Sequence, residues 1–114
     1  MPNLTPRIRV EVYVPTRYEP SYDACLDWII DEFTLLRGGC TVHYDAGGYY
    51  LSRANEVIDD RVSVIYSDFP MDWDNKSDRV ELLSYCATLK DFLLENLGEE
   101  EILISAYRVS HLRD

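Results

Sequence analysis

Glu11 and His43 are the two residues of this chain whose side chains could work together as an acid–base pair. A carboxylate beside an imidazole orients the ring and favours its protonated form. The strand pattern places Glu11 on the first predicted strand and His43 on the second, with another strand between them. Two strand spacings amount to roughly 10 Å, whereas a hydrogen bond needs about 3 Å. We therefore expect structural or surface roles for both residues, and catalysis by them only through a water chain or a partner subunit.

The acidic residues before the second predicted helix bear a partial likeness to a metal site. Asp72 and Asp74 have the spacing of the first two ligands of a calcium loop. Lys76 stands at the next ligand position and no glycine follows, so the EF-hand pattern fails. The paired glycines lack phosphate-loop spacing, and the three cysteines lack Cys-x-x-Cys spacing. The sequence predicts no metal and no cofactor.

Tyrosines are the main candidates for a binding surface. The chain contains nine of them, and Tyr44, Tyr49 and Tyr50 fall within one predicted hairpin. Amphipathic rings are enriched at interfaces because they bury a large area at little entropic cost. Packing of the same rings across the hairpin explains the pattern equally well. The predicted binding residues, in the hairpin or on one face of the predicted sheet, are Tyr13, His43, Tyr44, Tyr49, Tyr50 and Tyr107.

The balance of charge excludes several classes of partner. The 114 residues include 11 Lys+Arg and 21 Asp+Glu, for a net charge of −10. Nucleic-acid binding needs a basic stripe that displaces counterions from phosphates, and no run of Lys or Arg occurs. An anionic membrane surface would repel the chain, and no apolar stretch approaches the ~20 residues that span a bilayer. With no apolar signal-peptide core, we expect a cytoplasmic protein whose acidity keeps it soluble, or attracts a basic protein or a cation.

The hydrophobic pattern predicts one α+β domain over residues 1–114. Strands are predicted over residues 7–14, 57–66 and 102–111, and helices over residues 22–36 and about 78–97. A further hairpin is predicted over residues 40–51, with its turn at Asp45-Ala46-Gly47-Gly48. This order is typical of a ferredoxin-like split βαβ sandwich (βαββαβ) with an extra hairpin in the middle, in which two helices cover one face of an antiparallel sheet.

Capping residues set the expected ends of the helices. Ser21 is the predicted N-cap of the first helix, and either Asn75 or Ser77 that of the second, because their side chains can accept an unpaired amide. Gly38 and Gly98 are predicted to end the two helices, because glycine takes the left-handed conformation without strain.

The sheet face away from the helices carries the functional hypothesis. It should present Arg9, Glu11 and Tyr13, because these alternate with valines that face the helices. The expected neighbours are Thr41 and His43, Ser63 and Ile65 or the alternate register of that strand, and Ser105 and Tyr107. The third and fourth strands are apolar on both sides, which calls for cover on both faces.

That requirement predicts a homo-oligomer, with a dimer favoured, or a pocket over the sheet. The predicted function is a non-catalytic binding or regulatory module with a protein or small-molecule partner. The competing class is a small enzyme of the dimeric α+β barrel type, which would hold a small molecule near Tyr13, His43 and Tyr107.

Three short stretches carry a resemblance to known proteins. Gly38-Gly39-x-Thr41, Gly47-Gly48-Tyr49 and the run Asp60–Tyr66 resemble small bacterial ferredoxin-like proteins of uncharacterised function. The resemblance covers about a quarter of the chain and implies a fold, because such families share fold more than chemistry. The order of elements is also similar to that of trimeric PII-like signalling proteins, and none of their effector-binding residues is carried over.

Overall fold

Six elements in the order β-α-β-β-α-β build a single antiparallel sheet with two helices. The structure is a computed structural model that describes residues 3–113, so Met1, Pro2 and Asp114 of the predicted domain lie outside the described residues. The elements are β1 (Asn3–Pro15), α1 (Pro20–Arg37), β2 (Thr41–Leu51), β3 (Val57–Phe69), α2 (Lys76–Asn96) and β4 (Ile104–Arg113). The sheet order is β2-β3-β1-β4. The predicted ferredoxin-like α+β sandwich is therefore confirmed, with β1 and β3 at its centre.

The hydrophobic core lies between the helices and one face of this sheet. Every second residue of β1 faces it, and Ile8, Val10 and Val12 are 0% exposed. Phe33 of α1 and Phe69 of β3 meet edge to face, with ring centroids 5.9 Å apart. Further fully buried residues come from both helices and from β3: Ile29, Leu82, Leu93 and Ile65. Burial of this apolar area is the main force that holds both helices on the sheet.

Strand β3 takes the alternate of the two predicted registers. Ser63 and Ile65 are buried against the helices, so Val64 and Tyr66 face the other way. The buried hydroxyl of Ser67 donates a hydrogen bond of 2.7 Å to the carbonyl of Gly39, which satisfies a polar group in the core. This register places Ile65 and Phe69 in the core, where their apolar side chains leave water.

The extra hairpin predicted over residues 40–51 is wrong. Those residues form one strand, β2, and the turn lies at residues 52–56, beyond Leu51. A bulge between His43 and Ala46 accommodates Asp45, whose φ of 51° is left-handed. Gly48 is needed for close pairing rather than for a turn, because a Cβ there would lie 2.8 Å from the carbonyl oxygen of Asp60.

The helix ends differ in part from expectation. Ser21 is not the cap of α1: the N-cap is Glu19, without a side-chain bond, and Pro20 occupies the first turn. Asn75 caps α2 by accepting a 3.0 Å hydrogen bond from the amide of Asp78. Gly38 ends α1 with a φ of 88°, as predicted, whereas α2 ends at Leu97 in an extended conformation. Neither helix of residues 3–113 has the length and apolar character needed to cross a membrane.

Strands β2 and β3 extend beyond the end of β1 as a two-stranded arm, formed by Gly47–Leu51 and Val57–Arg61. β1 pairs with β3 only from Val62 onward, so the arm has no third strand. The molecule is accordingly elongated, with extents of 52 × 29 × 25 Å. An isolated two-stranded ribbon is marginally stable in water, so this arm depends on what packs against it.

Candidate functional site

The candidate site is the sheet face opposite the helices, which we call the open face. Its residues alternate with core residues along each strand. The register places these residues on it: Arg7, Arg9, Glu11 and Tyr13 of β1; Thr41 and His43 of β2; Val62, Val64, Tyr66 and Asp68 of β3; Ser105, Tyr107, Val109 and His111 of β4. With histidine neutral, two arginines in this set balance two carboxylates. The open face is therefore close to neutral in a chain of net charge −10.

Glu11 is held between two tyrosines. The hydroxyl of Tyr13 donates to Glu11 Oε2 at 2.8 Å, and the hydroxyl of Tyr107 donates to Glu11 Oε1 at 2.5 Å. These hydrogen bonds raise the pKa of both tyrosines, since ionisation would place a phenolate beside a carboxylate. Both oxygens of Glu11 are thus occupied as acceptors, which argues against a free general base.

Asp68 connects two other strands of the open face. Arg9 of β1 donates to both carboxylate oxygens, at 2.7 and 3.0 Å, and His111 Nε2 of β4 lies 2.6 Å from Oδ2. The Asp68 side chain is only 14% exposed. The hydrogen bond donated by Arg9, and after it the one donated by His111, hold the pKa of Asp68 below its usual range. The Arg9 guanidinium also lies 4.2 Å from the centre of the Tyr66 ring.

The structure does not bring Glu11 and His43 together. His43 stands opposite Val64 and Glu11 opposite Tyr66, on either side of β3. His43 instead stacks on Tyr66, with ring centroids 6.0 Å apart. The pair that does form, Asp68 and His111, was missed because the predicted third strand ended at Tyr66, whereas β3 continues to Phe69 and includes Asp68. The sequence did contain a signal, because residues an even number apart on a strand share a face. Asp68 is two residues from Tyr66, and His111 is four residues from Tyr107.

The six predicted binding residues lie at three places: the open face, the arm and the bulge of β2. Tyr13, His43 and Tyr107 share the open face. Tyr49 and Tyr50 lie on the arm, 73% and 55% exposed, and Tyr44 lies beside the β2 bulge, 66% exposed. Ligand binding by these residues stays a prediction, and the six do not share one surface.

A groove of about 720 Å³ lies where the arm leaves the sheet. Its lining includes Tyr13 of the open face, Tyr49 and Tyr50 of the arm, and Leu103 at the start of the last strand. Neither His43 nor Tyr107 lines it. The groove therefore joins only one member of the open-face group to the tyrosines of the arm.

Acidic residues form the rim of this groove. Arg17 bridges Asp60 and Glu99, at 2.7 and 2.9 Å, and Tyr22 donates to Glu99 at 3.2 Å. Glu101 is paired with Lys90. These contacts give the acidic run Glu99–Glu101 a structural role, because they fix it to α1, to the loop before α1 and to α2.

The acidic loop before α2 is organised by its own backbone. The amide of Asp74 donates to Asp72 at 3.0 Å, and the amide of Asp72 donates to Asp78 at 3.0 Å. Within residues 3–113 no group of three His, Cys, Asp or Glu side chains is arranged to hold a metal ion. The predicted absence of metal and cofactor stays a prediction.

The antiparallel sheet and its two helices give this chain the fold of the ferredoxin-like α+β sandwiches. Its structure is similar to that of CutA1 from Oryza sativa, with a TM-score of 0.57 over 93% of this chain and 82% of that chain. The two sequences are 16% identical, so the likeness shows the fold alone. No family model matches the chain, and no curated protein matches it.

Proposed function

We propose that this chain is an oligomeric, non-catalytic binding or regulatory module of the cytoplasm. In this proposal the open face is covered by a second copy of the chain, and the dimer is the favoured assembly. The observation that carries the proposal is the neutrality of the open face, where the charged side chains of Arg9, Glu11 and Asp68 are already bonded to neighbours on the same face.

Internal pairing matters because covering an unpaired charge costs several kcal/mol. Glu11 needs no partner from another molecule, since both of its oxygens accept from tyrosines. Asp68 and Arg9 satisfy each other in the same way. A second copy can therefore cover Arg9, Glu11 and Asp68 while their side-chain oxygens and donors keep partners on the same face, although the two chains repel each other elsewhere.

The open face also has apolar groups to bury. Val62, Val64 and Val109 lie among its tyrosines and are only partly covered within one chain. A two-fold contact would place equivalent patches against each other, so apolar groups would meet apolar groups. The exposed apolar side chains of the arm, Leu51 and Val57 among them, add to the area that a second copy could cover.

The competing function, a small enzyme with its substrate over the sheet, requires one cavity that encloses Tyr13, His43 and Tyr107. The groove beside the arm includes Tyr13 without the other two. One observation favours this alternative: the carboxylate of Asp68 orients the imidazole of His111, as a general base requires. The occupied oxygens of Glu11 and the stacked ring of His43 support the binding module.

Substitution of Val64 tests the covered face. Val64 lies between Tyr13 and His43 at the centre of the open face, so Val64→Lys should leave a buried ammonium in the proposed interface. Size-exclusion chromatography with light scattering should show the native chain at a multiple of 13.3 kDa and the variant at 13.3 kDa. The matched control is Val80→Lys on α2, where the side chain is 59% exposed. Equal masses for Val64→Lys and the native chain would overturn the proposal.

A further inference from the structure

We propose that the groove beside the arm binds a small organic cation, an amine or guanidine carried on an aliphatic stem. The inference rests on the proposed function as a binding module and names the ligand class of one of its surfaces. It does not require that the open face be covered, because the groove is formed within one chain by the arm, the end of β1 and residues 99–103.

The groove has the size and construction of a ligand site. Its volume of about 720 Å³ lies within the usual range for small-molecule pockets, roughly 300–1,000 Å³. Gly47 and Gly48 line it where β2 enters the arm, so no side chain from these two positions fills it. A Cβ on Gly48 would lie 2.8 Å from the backbone oxygen of Asp60, which keeps that position free of a side chain.

The rim of the groove carries uncompensated negative charge. Asp60 and Glu99 share one arginine, Arg17, so the three groups together keep one negative charge. Glu100 also lines the groove and makes no ion pair with any residue between 3 and 113. Since no three ligating groups converge here, the charge is spread over a width that suits an extended organic cation better than a metal ion.

The walls of the groove suit the ligand's other parts. Three tyrosines, Tyr13, Tyr49 and Tyr50, are among the residues that line it. Tyr49 and Tyr50 are consecutive on β2, so their side chains point to opposite sides of the arm. The hydroxyl of Tyr50 makes no hydrogen bond to another described residue, and its half-exposed ring has a face available to a cation. Leu103, 58% exposed, offers apolar surface to an aliphatic stem. Tyrosine faces combined with nearby carboxylates are the elements that recognise alkylammonium and guanidinium groups.

Isothermal titration of the native chain with agmatine tests this inference, because agmatine carries a guanidinium and an amine on a short stem. We expect a dissociation constant below about 1 mM at low salt, weakened by added salt as surface charge is screened. Pentanediol, a neutral probe of similar length, should give no heat of binding. No saturable binding of agmatine up to about 10 mM, or equal binding of pentanediol, would overturn the inference.

Matched variants separate the groove from general attraction to an acidic protein. Tyr50→Ala should weaken agmatine binding about fivefold and Tyr50→Phe less than about twofold, because phenylalanine keeps the ring face. Glu100→Gln should weaken it about threefold. The controls are Tyr18→Ala and Glu95→Gln, exposed residues outside the groove, which should bind as the native chain does. Equal weakening by Glu95→Gln and Glu100→Gln would show diffuse attraction and contradict a site.

The two proposals fail separately. A mass of 13.3 kDa with agmatine binding intact would remove the covered open face and leave the groove in place. A stable oligomer that fails to bind agmatine would remove the cation site in the groove and leave the covered open face in place.

Discussion

The two faces of the sheet are built from the same strands by opposite means. Along β1, Ile8, Val10 and Val12 are 0% exposed under the helices, while Arg9, Glu11 and Tyr13, which alternate with them, remain partly exposed on the open face. The helix face is held by apolar burial, whereas the open face is held by a network of hydrogen bonds and one bidentate ion pair. The comparison teaches that the first face accounts for the fold and the second is where function is to be sought.

The helix face should be the more sensitive of the two to truncation. Phe69 contacts Phe33 and Tyr85 and lies beneath the Arg37 guanidinium at 4.1 Å. Phe69→Ala should lower the free energy of unfolding by about 3–5 kcal/mol, because it leaves a cavity at the centre of the core. Urea unfolding followed by circular dichroism measures the loss. Phe69→Leu is the control and should cost less than half as much, and a loss below about 1 kcal/mol for the alanine variant would contradict this packing.

Asp68 should be the most important single residue of the open face. Asp68→Asn removes a charge that both Arg9 and His111 contact, and we expect a loss of about 2 kcal/mol near neutral pH. The same urea measurement applies, with Asp59→Asn on the exposed arm as the control. An effect no larger than that of the control would mean that the network adds nothing to stability.

The effect of Asp68 should also depend on pH. Its pKa in the folded chain is below the ordinary value of 3.8, so its stabilisation is present above about pH 4 and disappears as the pH falls through the lowered pKa. The difference in stability between the native chain and Asp68→Asn should therefore shrink as the pH falls below about 4. A difference that grows on acidification would have the wrong sign for this account.

Glu11 should have a smaller effect on stability and a clear effect on titration. Glu11→Gln replaces two charge-assisted hydrogen bonds by neutral ones, at a cost of about 1 kcal/mol. The pKa values of Tyr13 and Tyr107 should fall toward the ordinary value of 10.0, because the adjacent carboxylate is gone. Ultraviolet absorbance during alkaline titration should show two tyrosines ionising at lower pH than in the native chain. An unchanged titration curve would place those hydroxyls elsewhere.

The sequence was most informative where local pattern decides structure. The alternation of β1 assigned Arg9, Glu11 and Tyr13 to the open face, and helical periodicity located both helices. It was least informative where the arrangement depends on pairing between distant strands. A hairpin was predicted where β2 is one long strand that continues through a bulge at Asp45. The contact of Asp68 with His111 joins residues 43 positions apart. Neither the bulge nor that contact has a local sequence signature. The even spacing of Asp68 from Tyr66, and of His111 from Tyr107, could nevertheless have suggested that Asp68 and His111 share a face.

The molecular mass of the unmodified chain in solution tests the central claim, that the open face is covered by another copy. Sedimentation equilibrium at about 10–100 μM covers the range in which a specific dimer of micromolar or tighter affinity persists. We predict a multiple of 13.3 kDa across that range, with the dimer at 26.6 kDa as twice the chain mass. A single species of 13.3 kDa at every concentration would contradict the claim.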